Sequence, residues 1–372
     1  MRKNKAIIAV GVFVAILVLV VIAKTASFYP FLFQLIFDKE VNLKQAEPSK
    51  LNILILGIGG GSHDGPNLTD TIILANIDEK KNKVTLTSIP RDLWIPDLEG
   101  YNKKINEAYA KGEMKRKGGG IPLAEAVVEK VTGQSVDYAV RIDFNGFVRA
   151  VDIVGGLDIV VDNILDDYRY PIGGKEDDTC GFTDEDIQAF VATVSAEKEL
   201  SEKFSCRYKH LHFDKGQQHL TGDQALEFVR SRHGVNGEGS DFARSKRQQK
   251  VITAFKDKIF SAQTLINPAK IINLYTILKD SIDTNIEQDE FDDFIRLAQK
   301  MRQAKITSLV IDTGDEINNR QGLLDEAPYT NDYNFLSVLI PRVGNGDFSE
   351  IHQYIDCQFN GGNCPLTSNS KN

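Results

Sequence analysis

Excess positive charge is what this chain lacks: 44 Lys and Arg stand against 52 Asp and Glu, a formal net charge of -8. That deficit removes any global attraction to nucleic acid or anionic lipid, so a phosphate-bearing ligand has to be met by a local cluster of cations. Cysteine is scarce, four in 372 residues, and no Cys-His spacing suggests zinc. The glycine-rich stretch GIGGGSHDGP (57–66) has neither the Gly-Lys-Ser/Thr of a P-loop nor the spacing of a dinucleotide fingerprint. There is no internal repeat. With 42% hydrophobic and 26% charged residues, the composition is that of a folded globular protein, long for one compact domain and short for three.

One long apolar run is present. Arg2, Lys3 and Lys5 precede AIIAVGVFVAILVLVVIA (6–23), which carries no charge. Roughly 18 apolar residues at about 1.5 Å each nearly span a hydrocarbon core. SFYPFLFQLIF follows after Lys24 and either lengthens the anchor or lies at the interface, so residues 1–37 read as a cytoplasmic amino terminus and a transmembrane helix. Basic residues ahead of the span put the amino terminus in the cytoplasm and all that follows outside, in a single-pass protein of the cell membrane. The rival reading is a cleaved signal peptide, but its apolar region is usually shorter, and no convincing cleavage site precedes the second apolar run. The cysteines suit an exported domain. Three pairings are open, of which Cys180–Cys206 with Cys357–Cys364 closes the shortest loops; buried free thiols are the alternative.

Residues 38–50 are polar and read as a linker. LNILILG is a short apolar run stopped by glycine, and TIILANID and KVTLTSI form a hairpin through EKKN. PLAEAVVEKVTG has helical spacing and a glycine C-cap; VDYAVRI, FNGFVRAVDIVGG and LDIVVD read as strand, helix and strand. This alternation predicts a three-layer α/β/α body over 51–313, its central mixed sheet flanked by helices. Within it, 163–210 is polar and turn-rich and reads as a cysteine-bearing insertion. TGDQALEFVRSRH, DFARSKRQQKVITAFKDKIF, 268–280 and 288–301 read as helices and ITSLVID as a strand, with 314–372 as a carboxyl-terminal extension.

Three groups of residues carry candidate chemistry. A bend in the glycine-rich loop brings Asp64 and Asp70 to one mouth, and carboxylates are the hard ligands magnesium prefers; plain turn formation explains HDGP equally well. In VRSRH, Arg230 and Arg232 stand near a helix end, where cations also suit the carbonyl dipole. In DFARSKRQQK, Arg244, Arg247 and Gln248 recur at spacings of three and four and share a helix face, which is either a solvated face or the border of a cleft. Planar guanidinium forks suit diphosphate well. Finally, Pro90 forces an exit before Arg91 and Asp92, and Lys104 and Asn106 precede a helix, INEAYAKG; an Arg91–Asp92 loop salt bridge is the plainer alternative.

LTDTIILANID, VTLTSIPRD, KINEAYAKG, VDYAVRIDFNGFVRAVDIVGGLDIVV, LTGDQALEFVRSRH and DFARSKRQQKVI together resemble the LytR-CpsA-Psr family of cell-envelope proteins, in the family's order over roughly 51–260. The resemblance implies a mixed sheet with a hydrophobic pocket for a polyprenyl chain. It implies transfer of a glycopolymer from a polyprenyl diphosphate carrier to peptidoglycan beside the lipid bilayer; a nucleic-acid partner is not expected, because an exported acidic domain has no route to DNA. Carried over by motif, Asp70 looks like a magnesium carboxylate, with Asp64 the candidate second ligand. Arg91, Lys104, Arg230, Arg232, Arg244 and Gln248 look like the diphosphate-binding group, which Arg247 joins by its helix face. Asp70, Arg91, Asp92, Arg230, Arg232 and Arg244 are the catalytic candidates, with Asp92 or Asp64 accepting the hydroxyl proton. Two departures stand out: many members have a Gly-Ser-Asp after the first strand where this chain reads GIGG, and often Arg where it has Leu68. The alternatives are a polyprenyl diphosphate hydrolase, or a non-catalytic polyprenyl-phosphate binder that scaffolds envelope assembly.

Overall fold

The computed structural model describes residues 41–61, 65–98, 100–193, 201–259, 281–315, 320–361 and 364. The anchor expected at 1–37, the helix expected at 268–280, and Asp64 lie outside the described residues. Among the described residues no helix is long and apolar enough to cross a membrane.

The chain begins with the strands β1 (Lys50–Ile58), β2 (Thr69–Asp78), β3 (Lys83–Ser88), β4 (Trp94–Leu98) and β5 (Tyr101–Lys104). Helices α1 (Ala108–Lys115) and α2 (Gly120–Thr132) follow, then β6 (Tyr138–Asp143), α3 (Phe144–Ile153), β7 (Leu157–Val161) and β8 (Leu165–Pro171). After α4 (Asp184–Thr193) come β9 (Tyr208–Phe213), β10 (Gly216–Leu220), α5 (Gly222–Arg230) and α6 (Asp241–Ile259). The last elements needed here are β11 (Ile282–Thr284), α7 (Phe291–Lys300), β12 (Lys305–Val310) and α8 (Ser349–Asn360).

Six strands form the main sheet in the order β11-β6-β1-β2-β3-β12. β1 runs parallel to β6 and antiparallel to β2, β2 antiparallel to β3, β3 parallel to β12, and β11 antiparallel to β6. Four strands, β1, β3, β6 and β12, therefore point the same way and end on one edge of the sheet. In open α/β sheets that carboxyl edge is where ligands bind.

The apolar run Ile53–Leu56 of β1 follows from burial on both faces. Side chains alternate across a strand, and Leu51 and Ile53 enter one core while Leu54 and Leu56 enter the other. β2 does the same, with Ile73, Ala75 and Ile77 on one side and Ile72 and Leu74 on the other. The first core is closed by Val151 of α3, Phe228 of α5, Val251 and Phe255 of α6, and Phe294 and Leu297 of α7. The second is closed by Tyr109 of α1, Val127, Val128 and Val131 of α2, and Ile351, Ile355 and Phe359 of α8. The result is a mixed sheet between two helical layers.

Three segments differ from their sequence reading. Residues 41–49 are docked: Val41 and Leu43 pack on the first core, and the Lys44 backbone N–H donates to Tyr138 Oη at 2.8 Å. Segment 163–210 contains the antiparallel pair β8 and β9, whose inner residues Leu165, Leu211 and Phe213 belong to the first core. It looks polar because every second side chain faces solvent. Past residue 313, Leu323, Leu324, Phe348 and α8 complete the second core rather than forming a separate extension. Disulfides join Cys180 to Cys206 and Cys357 to Cys364.

Candidate functional site

The turn after β1 delivers the first charged residue to the carboxyl edge. Gly60 has φ 67° and donates its N–H to Pro66 O at 2.8 Å. A Cβ there would stand 2.8 Å from the Cβ of Asp143, the residue whose Oδ1 caps α3 by accepting from Gly146 N–H. Only glycine combines that backbone with so close an approach. The returning chain enters β2 at Thr69, opposite Ile58, so Asp70 sits at the open end of the sheet.

Four other elements converge there. β3 ends at Ser88, and the chain leaves through Pro90 to Arg91 and Asp92. Lys104 closes β5. α5 is started by a capping box between Thr221 and Gln224 and stops at Arg230, with Ser231 already out of helical geometry and Arg232 beyond it. α6 lies across the ends of β3 and β12: Ser245 Oγ is 2.8 Å from Ser88 Oγ, and Ser308 Oγ donates to Gln249 Oε1 at 2.7 Å. That placement aims Arg244 and Gln248 at the same edge.

A cleft of about 280 Å³ collects these side chains; Asp70, Arg91, Arg230, Arg232, Arg244 and Gln248 all line it. Five arginines, the four just named and Arg169, face only two aspartates, Asp70 and Asp167. Arg91 Nη1 donates to Asp70 Oδ1 at 2.5 Å, while its Nε is buried without a hydrogen-bond acceptor. Arg244 pairs with Asp241, and the Arg230 guanidinium carbon lies 4.4 Å from the centroid of the Phe144 ring. Arg232 is drawn below the usual guanidinium range, first by burial and then by repulsion from Arg91 and Arg244, with Asp92 and Asp241 only partly offsetting this. Arg91, Arg232 and Arg244 lie close enough to repel one another, each beside an aspartate (Asp70, Asp92 and Asp241), and with Arg169 and Arg230 the five cleft arginines outnumber the carboxylates around them.

Asp92 and Lys104 do not line the cleft. Lys104 Nζ donates to Asp92 Oδ1 at 2.7 Å, and Arg91 Nε and Arg232 Nη2 each stand 3.5 Å from Asp92 Oδ2. Burial alone would push the pKa of this carboxyl up; the Lys104 hydrogen bond and the charges of Arg91, Lys104 and Arg232 outweigh it and hold Asp92 below the usual carboxylate range. So restrained a carboxylate is a weak proton acceptor and a good brace for cations.

Arg247 corrects the helix-face reading. It is buried at 3% exposure, and its nitrogens donate to Phe228 O (2.8 Å), Ser231 O (2.7 Å), Glu238 O (2.8 Å) and Glu238 Oε2 (3.0 Å). With its donors spent on the end of α5 and the following loop, it does not belong with the diphosphate group. The spacing argument placed it correctly on α6, but a three-residue step rotates it away from Arg244 by enough to enter the core.

Arg169 and Tyr170 of β8, Tyr208 of β9 and His233 also line the cleft and were missed by sequence reasoning. Little signal was available: the buried residues Leu165, Asp167 and Tyr170 step by two and then by three across a bulge, so LDDYRYP shows no clean alternation. Asp167 ties this hairpin to the arginines: it accepts hydrogen bonds from Ser231 Oγ (2.7 Å) and from the backbone N–H of His233 (3.2 Å). As for metal, no group of three metal-ligating side chains among the described residues includes Asp70.

The family model for the LytR_cpsA_psr family matches residues 34–328. The chain belongs to that family. It is similar to TagU of Bacillus cereus (strain ATCC 14579), a polyisoprenyl-teichoic acid–peptidoglycan teichoic acid transferase, with 30% identity over 256 residues, 68% of this chain and 66% of TagU. It is also similar to TagV of Bacillus subtilis (strain 168), of the same named activity, with 29% identity over 266 residues, 70% of this chain and 55% of TagV. The match therefore spans just under two thirds of one relative's length and little over half of the other's. Among solved structures, B. subtilis TagV superposes with a TM-score of 0.52 at 24% identity, covering 84% of this chain and 98% of that one. TagT bound to LI-WTA superposes with a TM-score of 0.51 at 19% identity, covering 86% and 94%. At these identities the likeness of the LytR_cpsA_psr structures establishes the fold.

Proposed function

We propose that the protein is a membrane-anchored phosphotransferase that moves a glycopolymer from a polyprenyl diphosphate carrier onto a peptidoglycan hydroxyl. The observation that carries this reading is the arginine cleft at the carboxyl edge, whose five guanidinium groups outnumber the aspartates around them. The names of the TagU and TagV relatives point the same way. Residues 1–37 supply the anchor and keep the cleft near the bilayer that holds the carrier's lipid tail.

In the proposed reaction the acceptor oxygen attacks the phosphorus that bears the glycan. The bridging P–O bond breaks, polyprenyl phosphate leaves, and the acceptor proton passes to a base or to water. Negative charge grows on the departing phosphate, and pre-placed guanidinium donors stabilise it without reorganising. Arg91, Arg230, Arg232 and Arg244 take that part, with Gln248 a neutral donor on the same wall; Asp92 and Lys104 set the positions of Arg91 and Arg232. Magnesium fits the donor set in a limited sense. Asp70 gives one oxygen to Arg91, and its other oxygen is a hard ligand of the kind magnesium uses together with substrate phosphate and water. When bound, the ion would supply further charge neutralisation.

The test is transfer of lipid-linked glycan to peptidoglycan by Arg230→Ala and Arg244→Ala. Loss of one pre-placed donor from such a site is expected to lower turnover by roughly 10²–10³-fold. Wild-type turnover in both variants refutes the proposal, and release of free polymer by the unaltered protein identifies a hydrolase instead.

A further inference from the structure

A second cluster of chemistry-bearing residues lies on the solvent face of the β8–β9 pair. Leu211 and Phe213 point into the core, so His210 and His212, which alternate with them, point outward. Asp166 of β8 stands directly across from His212 in the register. A bulge follows: Asp167 pairs with Leu211 and Tyr170 with Lys209, leaving Tyr168 and Arg169 opposite His210 alone. Bulges re-aim side chains, and here His210 turns toward Asp166. His210 Nε2 is 2.8 Å and His212 Nδ1 2.7 Å from the same Asp166 Oδ1. We propose that Asp166, His210 and His212 form a binding site for a divalent transition metal, with zinc the ion it suits best.

Two further contacts separate this cluster from an ordinary surface ion pair. The remaining nitrogen of His212, Nε2, lies 3.2 Å from Asp214 Oδ1, the carboxylate–histidine arrangement that sets the tautomer of a metal ligand and raises its basicity. The His210 ring is stacked on Tyr168, with centroids 4.2 Å apart and planes 6° apart, so its orientation is fixed from the other side. The three ligand atoms lie within 4.8 Å of one another. An ion at about 2.0–2.2 Å from each ligand needs only a small outward adjustment of side chains that face solvent. Two imidazoles and one carboxylate favour zinc over magnesium or calcium, which take oxygen. A solvent-facing fourth position completes a tetrahedron.

The location gives the ion a consequence. It would fasten β8 to β9 at the base of the segment 172–207, which the Cys180–Cys206 disulfide closes further out. The next residue, Asp167, holds the backbone after α5 that carries Arg230 and Arg232. A metal there stiffens the wall of the cleft without entering it.

The experiment uses the full-length chain, stripped of metal with a chelator and titrated with Zn²⁺ by calorimetry and with Co²⁺ by visible absorption. One equivalent is expected to bind, with Co²⁺ bands of low coordination number that Zn²⁺ displaces and excess Mg²⁺ does not. Affinity is expected to fall at least 100-fold in the double variant His210→Asn, His212→Asn and in Asp166→Asn, and to stay unchanged in His219→Asn. Circular dichroism checks that the variants are folded, and Asp166→Asn stands in should the double variant fail to fold. Absence of stoichiometric Zn²⁺ binding, or binding that survives both variants, overturns the proposal.

Discussion

Replacing Arg247 by Met distinguishes an arginine that builds the cleft from those that work in it. The substitution keeps an apolar stem of similar length and removes four hydrogen bonds, to the carbonyls of Phe228, Ser231 and Glu238 and to the Glu238 carboxylate. Charge-assisted bonds are worth about 1.5–3 kcal/mol each, but their sum overstates the loss, because carbonyls at the end of α5 can take up water. The better guide is the removal of one partner from a buried ion pair, about 3–5 kcal/mol, since Glu238 is left with an unmatched charge. At about 2 °C per kcal/mol for a domain of this size, the melting temperature is expected to fall by roughly 6–10 °C. Arg232→Ala should behave in the opposite sense. Its guanidinium is held against repulsion from Arg91 and Arg244, so its removal leaves the melting temperature unchanged or higher while transfer is lost. Calorimetric melts and transfer assays on both variants, the latter well below either melting temperature, decide the matter. An Arg247→Met protein of native stability that loses transfer as Arg244→Ala does would refute the structural role assigned to Arg247.

Two groups with shifted titration give pH-dependent predictions. The Lys256 side chain is wholly buried, with Nζ 3.3 Å from Asp257 Oδ1, and burial pulls its pKa down to about 8. Because the unfolded chain binds the proton more tightly, stability rises as pH passes from about 8 to the ordinary lysine range near 10.4. Lys256→Met should abolish that rise and add about 2 kcal/mol at pH 7; a less stable variant in urea titration contradicts this. Glu125, which accepts from Asn285 Nδ2 at 2.8 Å, is raised to about 7, by burial first and then by Glu129. Here the folded state holds the proton more tightly, so stability is full below about pH 4.3 and declines as pH rises to 7. Glu125→Gln is expected to remove that decline and to gain about 1 kcal/mol at pH 8, after allowance for solvent screening; urea midpoints from pH 5 to 8 that match the parent rule it out.

The sheet was legible because its signal is local. β1 and β2 carry apolar residues on both faces, β3 alternates Val84 and Leu86 with Thr85 and Thr87, and the segments that form α5 and α6 read as helices from the sequence. What stayed hidden depends on partners distant in sequence. Segment 163–210 reads as polar because half of each strand faces water, and only pairing with β9 reveals that Leu165 and Tyr170 are core. Arg169 was lost with it. Arg247 went wrong for a related reason: a shared helix face specifies direction relative to Arg244, and not how far the core reaches around α6. His210 and His212 carry a two-residue spacing that means little until Asp166 lies across from them.

The distribution of charge ties the reading together. The chain is acidic overall, so at long range an anionic carrier is repelled, and attraction begins only within about a Debye length of the cleft, roughly 8 Å at physiological salt. Such a field selects for ligands already delivered to the spot, and a lipid-borne diphosphate held in the same bilayer as the proposed anchor is delivered by lateral diffusion rather than by steering through water. It also gives Asp92, Asp241 and Asp70 a part among the arginines. Asp70 pairs with Arg91 and Asp241 with Arg244, while Asp92 lies between Arg91, Arg232 and Lys104, so five like charges stay foldable while the cleft side is left short of negative charge. A site optimised for stability would match its charges; this one stops short, and the deficit is what a diphosphate would fill.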